Sequence, residues 1–182
     1  MPLALGRLTQ MDGSETTMEE LTSRGPLALV FLRHLGCVFC RRLLSQLNRF
    51  PDWNVAVVVL AGAEDARRYF AVHTTSFPVI VDPSARLYST LGLRRGGMGA
   101  VASPRVFGHA VAALVGGAGM GRVTGDPMQL GGAFVIDERQ EIAWQYRSAD
   151  AADNPPVEEI GRALENVIGA RQYDERLDRA GL

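Results

Sequence analysis

The chain has 182 residues, of which 47% are hydrophobic, and its formal net charge at pH 7 is −1. This length and apolar content suit one globular domain with a hydrophobic core, and the near-zero charge argues against a surface that binds nucleic acid. All 19 basic residues are arginines. Because the sequence contains no lysine, Schiff-base catalysis and a phosphate-binding P-loop lysine are excluded.

The predicted elements of the first half alternate between strands and helices. A polar turn and a short helix are expected over residues 8–20. Apolar runs of strand length then alternate with segments of helical spacing. The predicted strands cover residues 27–33, 55–60 and 78–81, and the predicted helices cover residues 38–50, 63–72 and 85–91.

Residues 94–127 interrupt this alternation. Ser103 and Pro104 would occupy the first positions of a helix, and glycines follow it. An apolar stripe along this helix would contain Phe107, Val111 and Leu114. We therefore expect a helical insertion whose apolar stripe packs on the domain, covers the site as a lid or forms a homodimer contact.

After the insertion, the chain is predicted to end in a β-hairpin and a helix. The hairpin strands cover residues 133–136 and 142–147, the helix begins after residue 155, and a charged tail follows from residue 171 to 182. The whole order predicts an α/β fold in which helices sandwich a mixed central sheet. We expect residues 1–182 to form a single domain.

The only two cysteines, Cys37 and Cys40, form a CxxC motif between a predicted strand and a predicted helix. The N-terminus of a helix stabilises negative charge, and the thiolate is the reactive form of cysteine. A CxxC in this position is typical of a thioredoxin-like redox site. The alternative is half of a zinc site with His34 as a third ligand, but structural zinc usually takes four ligands and no second CxxC or HxxxH occurs.

Cysteine usage and the N-terminus also bear on location. Two cysteines three residues apart cannot form a disulfide scaffold. The opening residues, MPLALGRLTQ, lack the charged region and the long apolar stretch of a secretion signal, and no apolar run approaches the roughly 18 residues that span a membrane. We therefore expect a cytoplasmic protein without a membrane span.

Three segments of the chain carry a family resemblance. They are FLRHLGCVFCRR, FPVIVDPSARLYSTLGL and QLGGAFVIDERQEIAWQYR. They resemble the peroxiredoxin-like branch of the thioredoxin superfamily, which includes AhpC/TSA-type antioxidant proteins and a CxxC subgroup with prostamide/prostaglandin F synthase-like members. The resemblance implies reduction of peroxide-like substrates by thiols, recycling by a thioredoxin- or thiol-type electron donor, and neither a metal nor a bound organic cofactor.

The sequence also departs from that family. When Cys40 is aligned with the cysteine of the peroxiredoxin PxxxTxxC signature, Arg33 replaces the proline and Cys37 replaces the threonine. The second active-site arginine of the family is absent, because Gly131 and Gly132 stand in its place. The cis-proline of thioredoxins would fall in the same stretch and is absent too. Neither parent mechanism therefore transfers intact.

A dithiol mechanism can still be defined. One thiolate attacks a peroxide or a disulfide, and the other thiol resolves the product into a Cys37–Cys40 disulfide. Comparison with thioredoxin makes Cys37 the nucleophile and the peroxiredoxin alignment makes it Cys40; we favour Cys37. Arg33 is expected to lower the pKa of the thiol, with His34 as a weaker contributor.

The predicted catalytic residues are therefore Cys37, Cys40 and Arg33. The predicted substrate-binding residues are His34, Gly36, Gly131 and Gly132. The predicted function is that of a thiol-disulfide oxidoreductase that reduces hydroperoxides or disulfides. The alternative is a redox-sensing or binding module that keeps the dithiol but turns over little.

Overall fold

A five-stranded mixed sheet forms the centre of the computed structural model, which describes residues 3–97 and 125–180. The strands lie in the order β5–β4–β3–β6–β7; β3, β4 and β5 are parallel, and β6 and β7 are each antiparallel to their inner neighbour. Their bounds are Leu27–Leu32 (β3), Val55–Val59 (β4), Val79–Val81 (β5), Gly132–Ile136 (β6) and Ile142–Arg147 (β7). The predicted α/β fold with a mixed sheet is confirmed.

Helices cover both faces of this sheet. Residues of α2, α3 and α5 belong to the core on one face, and residues of α1 and α4 belong to the core on the other. The bounds are Met18–Thr22 (α1), Val38–Leu47 (α2), Ala63–Phe70 (α3), Arg86–Thr90 (α4) and Val157–Ala180 (α5). Among the described residues, no helix is both long and apolar enough to cross a membrane.

The central strands are apolar along their whole length because they are covered on both sides. In β3, Leu27, Leu29 and Phe31 face the α1/α4 side, whereas the alternate residues face the α2 side. All six residues of β3 are buried. A parallel strand buried on both faces is expected to be continuously hydrophobic. This rigid strand carries the chain to the dithiol.

The N-terminal prediction was incomplete. A small antiparallel hairpin of β1 (Leu8–Thr9) and β2 (Glu15–Thr16) precedes α1. Its turn is fixed by Asp12, whose Oδ1 accepts hydrogen bonds from the main-chain N–H and the hydroxyl of Ser14. The turn was foreseen, but strands of two residues are too short to show an alternating pattern.

The predicted insertion is described only at its two ends. The predicted helix with Phe107, Val111 and Leu114 lies outside the described residues. The ends run side by side: the N–H of Gly96 donates to Met128 O at 2.7 Å, and Arg95 pairs with Gln129 in an isolated β-bridge. At the other end of the chain, α5 continues through the predicted charged tail to Ala180.

Candidate active site

The dithiol sits where β3 turns into α2. The turn reverses at Gly36, whose φ of 96° is readily adopted only by glycine. The N–H of Cys37 donates to His34 O at 3.3 Å, which closes the turn. Cys37 is then the N-cap of α2, and Cys40 lies in the first turn of the helix. The expected position of the thiols at a helix N-terminus is therefore what the structure shows.

Both cysteines are free and almost completely buried. Cys37 is 5% exposed and Cys40 is 2% exposed. The Cys37 Sγ accepts a hydrogen bond from the Cys40 N–H at 3.4 Å and lies 3.7 Å from Nη1 of Arg33. The Cys40 Sγ accepts from the Arg33 N–H at 3.3 Å. The two sulfurs thus have different partners, and the guanidinium faces Cys37.

Arg33 is itself a buried cation, with 4% of its surface exposed. Its guanidinium donates to three main-chain carbonyl oxygens, those of Gln129 at 3.2 Å, Ala151 at 3.0 Å and Pro127 at 2.8 Å. In the described part of the chain, no carboxylate forms an ion pair with it. A buried charge is costly unless it is compensated. Among the described residues, the Cys37 sulfur is the group in contact with the guanidinium that can carry a negative charge.

These contacts separate the acidities of the two thiols. The pKa of Cys37 is lowered to about 5. The main cause is a hydrogen bond from the Cys40 thiol; burial opposes the shift, and the charge of Arg33 adds to it. The Cys40 N–H and the charge of His34 contribute in the same direction. The pKa of Cys40 is raised well above its ordinary value, first by its hydrogen bond to Cys37 and then by burial. These opposite shifts favour negative charge on Cys37 rather than on Cys40.

The other predicted residues border the dithiol in different ways. His34 is half-buried, and its Nδ1 lies 3.1 Å from Leu35 O. Gly131 lies against Arg33, since a Cβ atom there would be 2.5 Å from Phe31 O and 3.6 Å from the Arg33 Cγ. A Cβ atom on Gly132 would instead be 2.5 Å from Tyr146 O. Gly131 thus makes room for the main chain of β3 at Phe31, and Gly132 makes room for the main chain of β7.

Sequence reasoning missed the groups that hold this site together. Gln129, Ala151 and Pro127 act through main-chain carbonyls, for which no residue type is diagnostic. Asn154 was missed as well; its Nδ2 donates to Phe39 O, inside the CxxC motif, at 2.9 Å. The one available signal was Gln129, a polar residue just before the apolar run of β6. It is 4% exposed.

One groove of the described structure lies away from the dithiol. A groove of about 560 Å³, with Pro26, Trp144 and Val167 among its lining residues, lies at the opposite end of β3. The length of that strand separates it from Cys37 by about 20 Å. Within the described ranges, no cluster of three or more His, Cys, Asp or Glu side chains could hold a metal ion.

Comparison with known proteins places the chain in a family. The pattern of the AhpC/TSA antioxidant enzyme family matches residues 41–150, which is more than half of the chain. The chain belongs to the AhpC/TSA antioxidant enzyme family. The resemblance inferred from the three sequence segments is therefore confirmed. The matched residues begin directly after Cys40, so the family match does not itself include the CxxC motif.

Relatives and solved structures agree with this assignment. The chain is 24% identical to peroxiredoxin-like 2C of Homo sapiens over 72% of its own length and 65% of that protein's. It is 27% identical to prostamide/prostaglandin F synthase of Danio rerio over 82% of each. The fold matches a peroxiredoxin-like protein from Aquifex aeolicus with a TM-score of 0.63 at 13% identity, over 89% of this chain and 82% of that one. The thioredoxin-like fold is therefore shown, and the family is one of thiol oxidoreductases.

Proposed function

We propose that this protein reduces hydroperoxides, with Cys37 as the nucleophile and Cys40 as the resolving thiol. The observation that carries the proposal is the contact of Cys37 with Arg33, a buried cation that has no carboxylate partner among the described residues. That contact, the position at the helix N-terminus and the lowered pKa all favour a thiolate on Cys37 at neutral pH. The raised pKa of Cys40 suits a thiol that acts second.

The proposed reaction has two steps and balances in electrons. The Cys37 thiolate attacks one peroxide oxygen, the O–O bond breaks, and Cys37 becomes a sulfenic acid while an alcohol or water leaves with a proton from solvent. The sulfur of Cys40 then attacks the sulfur of the sulfenic acid. Water leaves and the Cys37–Cys40 disulfide forms. The dithiol has lost two electrons, and the peroxide has gained them.

An external dithiol or two thiols must return those electrons. A thiolate of the donor attacks the disulfide, a mixed disulfide forms, and a second donor thiol releases the reduced protein. We propose that the donor is thioredoxin or another thiol, as the resemblance to peroxiredoxin-like proteins implies. The donor must reach Cys37, a residue that is only 5% exposed.

Small hydroperoxides fit the surroundings of Cys37 better than extended polypeptides do. A polypeptide that binds as an added strand needs free main-chain N–H and C=O groups. Beside Arg33, the N–H and C=O of Gln129, the N–H and C=O of Leu130, and the C=O of Gly131 all have partners within the protein. A hydroperoxide needs only one oxygen atom to reach the Cys37 sulfur. We therefore place protein disulfides second among the substrates.

The burial of both thiols favours a second candidate, a redox sensor that is oxidised once and is recycled slowly. The experiment is a steady-state assay with hydrogen peroxide, thioredoxin and thioredoxin reductase, run on the wild type, Cys37→Ser and Cys40→Ser. A peroxidase should turn over in the wild type, fail in Cys37→Ser and stop after one equivalent in Cys40→Ser. Dimedone should label the sulfenic acid in Cys40→Ser only.

Each alternative gives a different result. One equivalent of oxidation without turnover in the wild type, with this donor and with dithiothreitol, would favour the sensor. Dimedone labelling of Cys37→Ser, with none in Cys40→Ser, would show that Cys40 attacks first. Reduction of insulin disulfides faster than reduction of hydrogen peroxide would make the protein a disulfide reductase.

A further inference from the structure

A buried glutamine joins the ends of the insertion to the active site. Gln129 is 4% exposed and lies directly before Leu130 and the two glycines that lead into β6. Its Nε2 lies within hydrogen-bond distance of three main-chain oxygens, those of Leu93 at 3.3 Å, Arg94 at 3.2 Å and Leu130 at 3.1 Å. An amide has two N–H groups, so the three carbonyls share them.

The main chain of the same residue reaches the catalytic arginine. The carbonyl oxygen of Gln129 accepts from Nε of Arg33 at 3.2 Å, and the main-chain N–H of Gln129 donates to Asp126 O at 3.1 Å. The side chain also binds the carbonyl of Leu130, the next peptide group. The amide therefore holds the peptide group next to the one whose carbonyl oxygen accepts from Arg33.

We propose that Gln129 is a positioning residue that holds the Arg33 guanidinium against the Cys37 sulfur. The inference rests on the proposed role of the Cys37 thiolate and adds the residue that positions Arg33, the cation beside that thiolate. Gln129 does not touch either sulfur and acts through Arg33. Its side chain fixes its own loop, and its main-chain carbonyl oxygen accepts from Nε of Arg33. The planar guanidinium then directs Nη1 of Arg33 at the Cys37 sulfur, 3.7 Å away. Since a guanidinium is rigid, a fixed Nε limits where Nη1 can point.

The test replaces the amide and measures the titration of Cys37. Gln129→Met keeps the length of the side chain but removes both donors. We expect the pKa of Cys37 to rise by about 1, so that its alkylation by iodoacetamide at pH 5 slows about fivefold. Gln129→Asn keeps the amide on a shorter side chain and should give a smaller rise with less loss of stability. Circular dichroism confirms that each variant is folded before alkylation.

A matched control separates positioning from general loosening. Asn54 also uses a side-chain amide to hold loop carbonyls, those of Leu21 at 2.8 Å and Gly25 at 3.0 Å, but at the opposite end of β3. Asn54→Leu should lower stability and leave the titration of Cys37 unchanged. If Asn54→Leu shifts the titration as much as Gln129→Met does, the effect is general and the proposal is wrong.

A double variant tests the route of the effect. In an Arg33→Met background the guanidinium is gone, so Gln129→Met should cause no further rise in the pKa of Cys37. A rise of the same size in that background, or an unchanged titration in folded Gln129→Met, would overturn the proposal. Alkylation needs no turnover. A protein without peroxidase activity but with a Gln129-dependent titration would refute the proposed function and leave this inference standing.

Discussion

Replacing Arg33 by methionine should raise the pKa of Cys37 and lower the fraction of thiolate near neutral pH. The guanidinium Nη1 lies 3.7 Å from the Cys37 Sγ, and its charge is one of the causes that lower the pKa of Cys37 to about 5. An opposite charge at such a distance typically moves a pKa by about 1 to 3. We therefore expect Cys37 to titrate at about 6 to 8 in Arg33→Met, with the Cys40 thiol and the helix N-terminus supplying the remaining effect.

The consequence can be worked out for reactivity and for reduction potential. With a pKa near 7 instead of 5, the thiolate fraction at pH 6 falls about tenfold, and the alkylation rate falls with it. At pH 7 the reduced form loses about 2 kcal/mol of stabilisation relative to the disulfide. For a two-electron couple this makes the reduction potential more negative by roughly 50 mV.

Two measurements check this prediction. Alkylation of Cys37 by iodoacetamide is followed from pH 4 to 9, and the dithiol is equilibrated with glutathione buffers to obtain its potential. Arg33→Lys keeps the charge but cannot hold the carbonyls of Gln129, Ala151 and Pro127 in the same way, so its titration should lie between those of the wild type and Arg33→Met.

A second arginine serves as the control for lost carbonyl contacts. Arg86 donates to the carbonyls of Leu5 and Arg7 on the other face of the sheet. Arg86→Met should leave the titration of Cys37 unchanged. If folded Arg33→Met still titrates near pH 5, Cys40 and the helix account for the acidity alone, and the role assigned to Arg33 is refuted.

Two further predictions concern stability. The first compares the free energy of unfolding of the reduced wild type with that of Cys37→Ser. Because the folded-state pKa of Cys37 is lowered, the difference should rise from pH 5 to pH 8 by up to about 1.4 kcal/mol per pH unit, and it should be lost as the pH falls through 5. Urea titrations with a reductant measure this difference, and a flat profile would contradict the lowered pKa. The second concerns Gly131→Ala, which should lower the free energy of unfolding by about 1–3 kcal/mol because the added Cβ would lie 2.5 Å from Phe31 O. Gly97 has open space around it, so Gly97→Ala should change the free energy of unfolding by under about 0.5 kcal/mol. Equal effects in the same urea titrations would argue against close packing at Gly131.

The sequence was sufficient for the strand–CxxC–helix unit because every part of it is local. A continuous apolar run predicts β3, helical spacing of leucines predicts α2, and the thiols fall between them. Arg33 could be selected for the same reason, since it lies four residues before Cys37. The structure places its guanidinium beside that sulfur, as local geometry alone suggested.

What the sequence could not supply are the contacts made across the fold. Ala151 and Pro127 lie 118 and 94 residues from Arg33 and contribute carbonyl oxygens, which every residue type possesses. Likewise, the sequence shows that Gly131 and Gly132 stand where the family has its second active-site arginine. The packing roles of the two glycines depend on Phe31 and on β7, which are distant in the chain or not recognisable as neighbours from it. Residue identity predicts side-chain chemistry better than it predicts main-chain support.

The charge balance around Arg33 connects the fold to the proposed reaction. The buried cation faces the Cys37 sulfur, and in the proposed mechanism the thiolate of the reduced state compensates its charge. Oxidation to the Cys37–Cys40 disulfide removes the negative charge but leaves the guanidinium among carbonyl oxygens. The disulfide therefore loses an interaction that the dithiol retains, which favours its reduction by a thiol donor. In the proposed reaction, the thiolate would promote the first step and the same arginine would favour recycling.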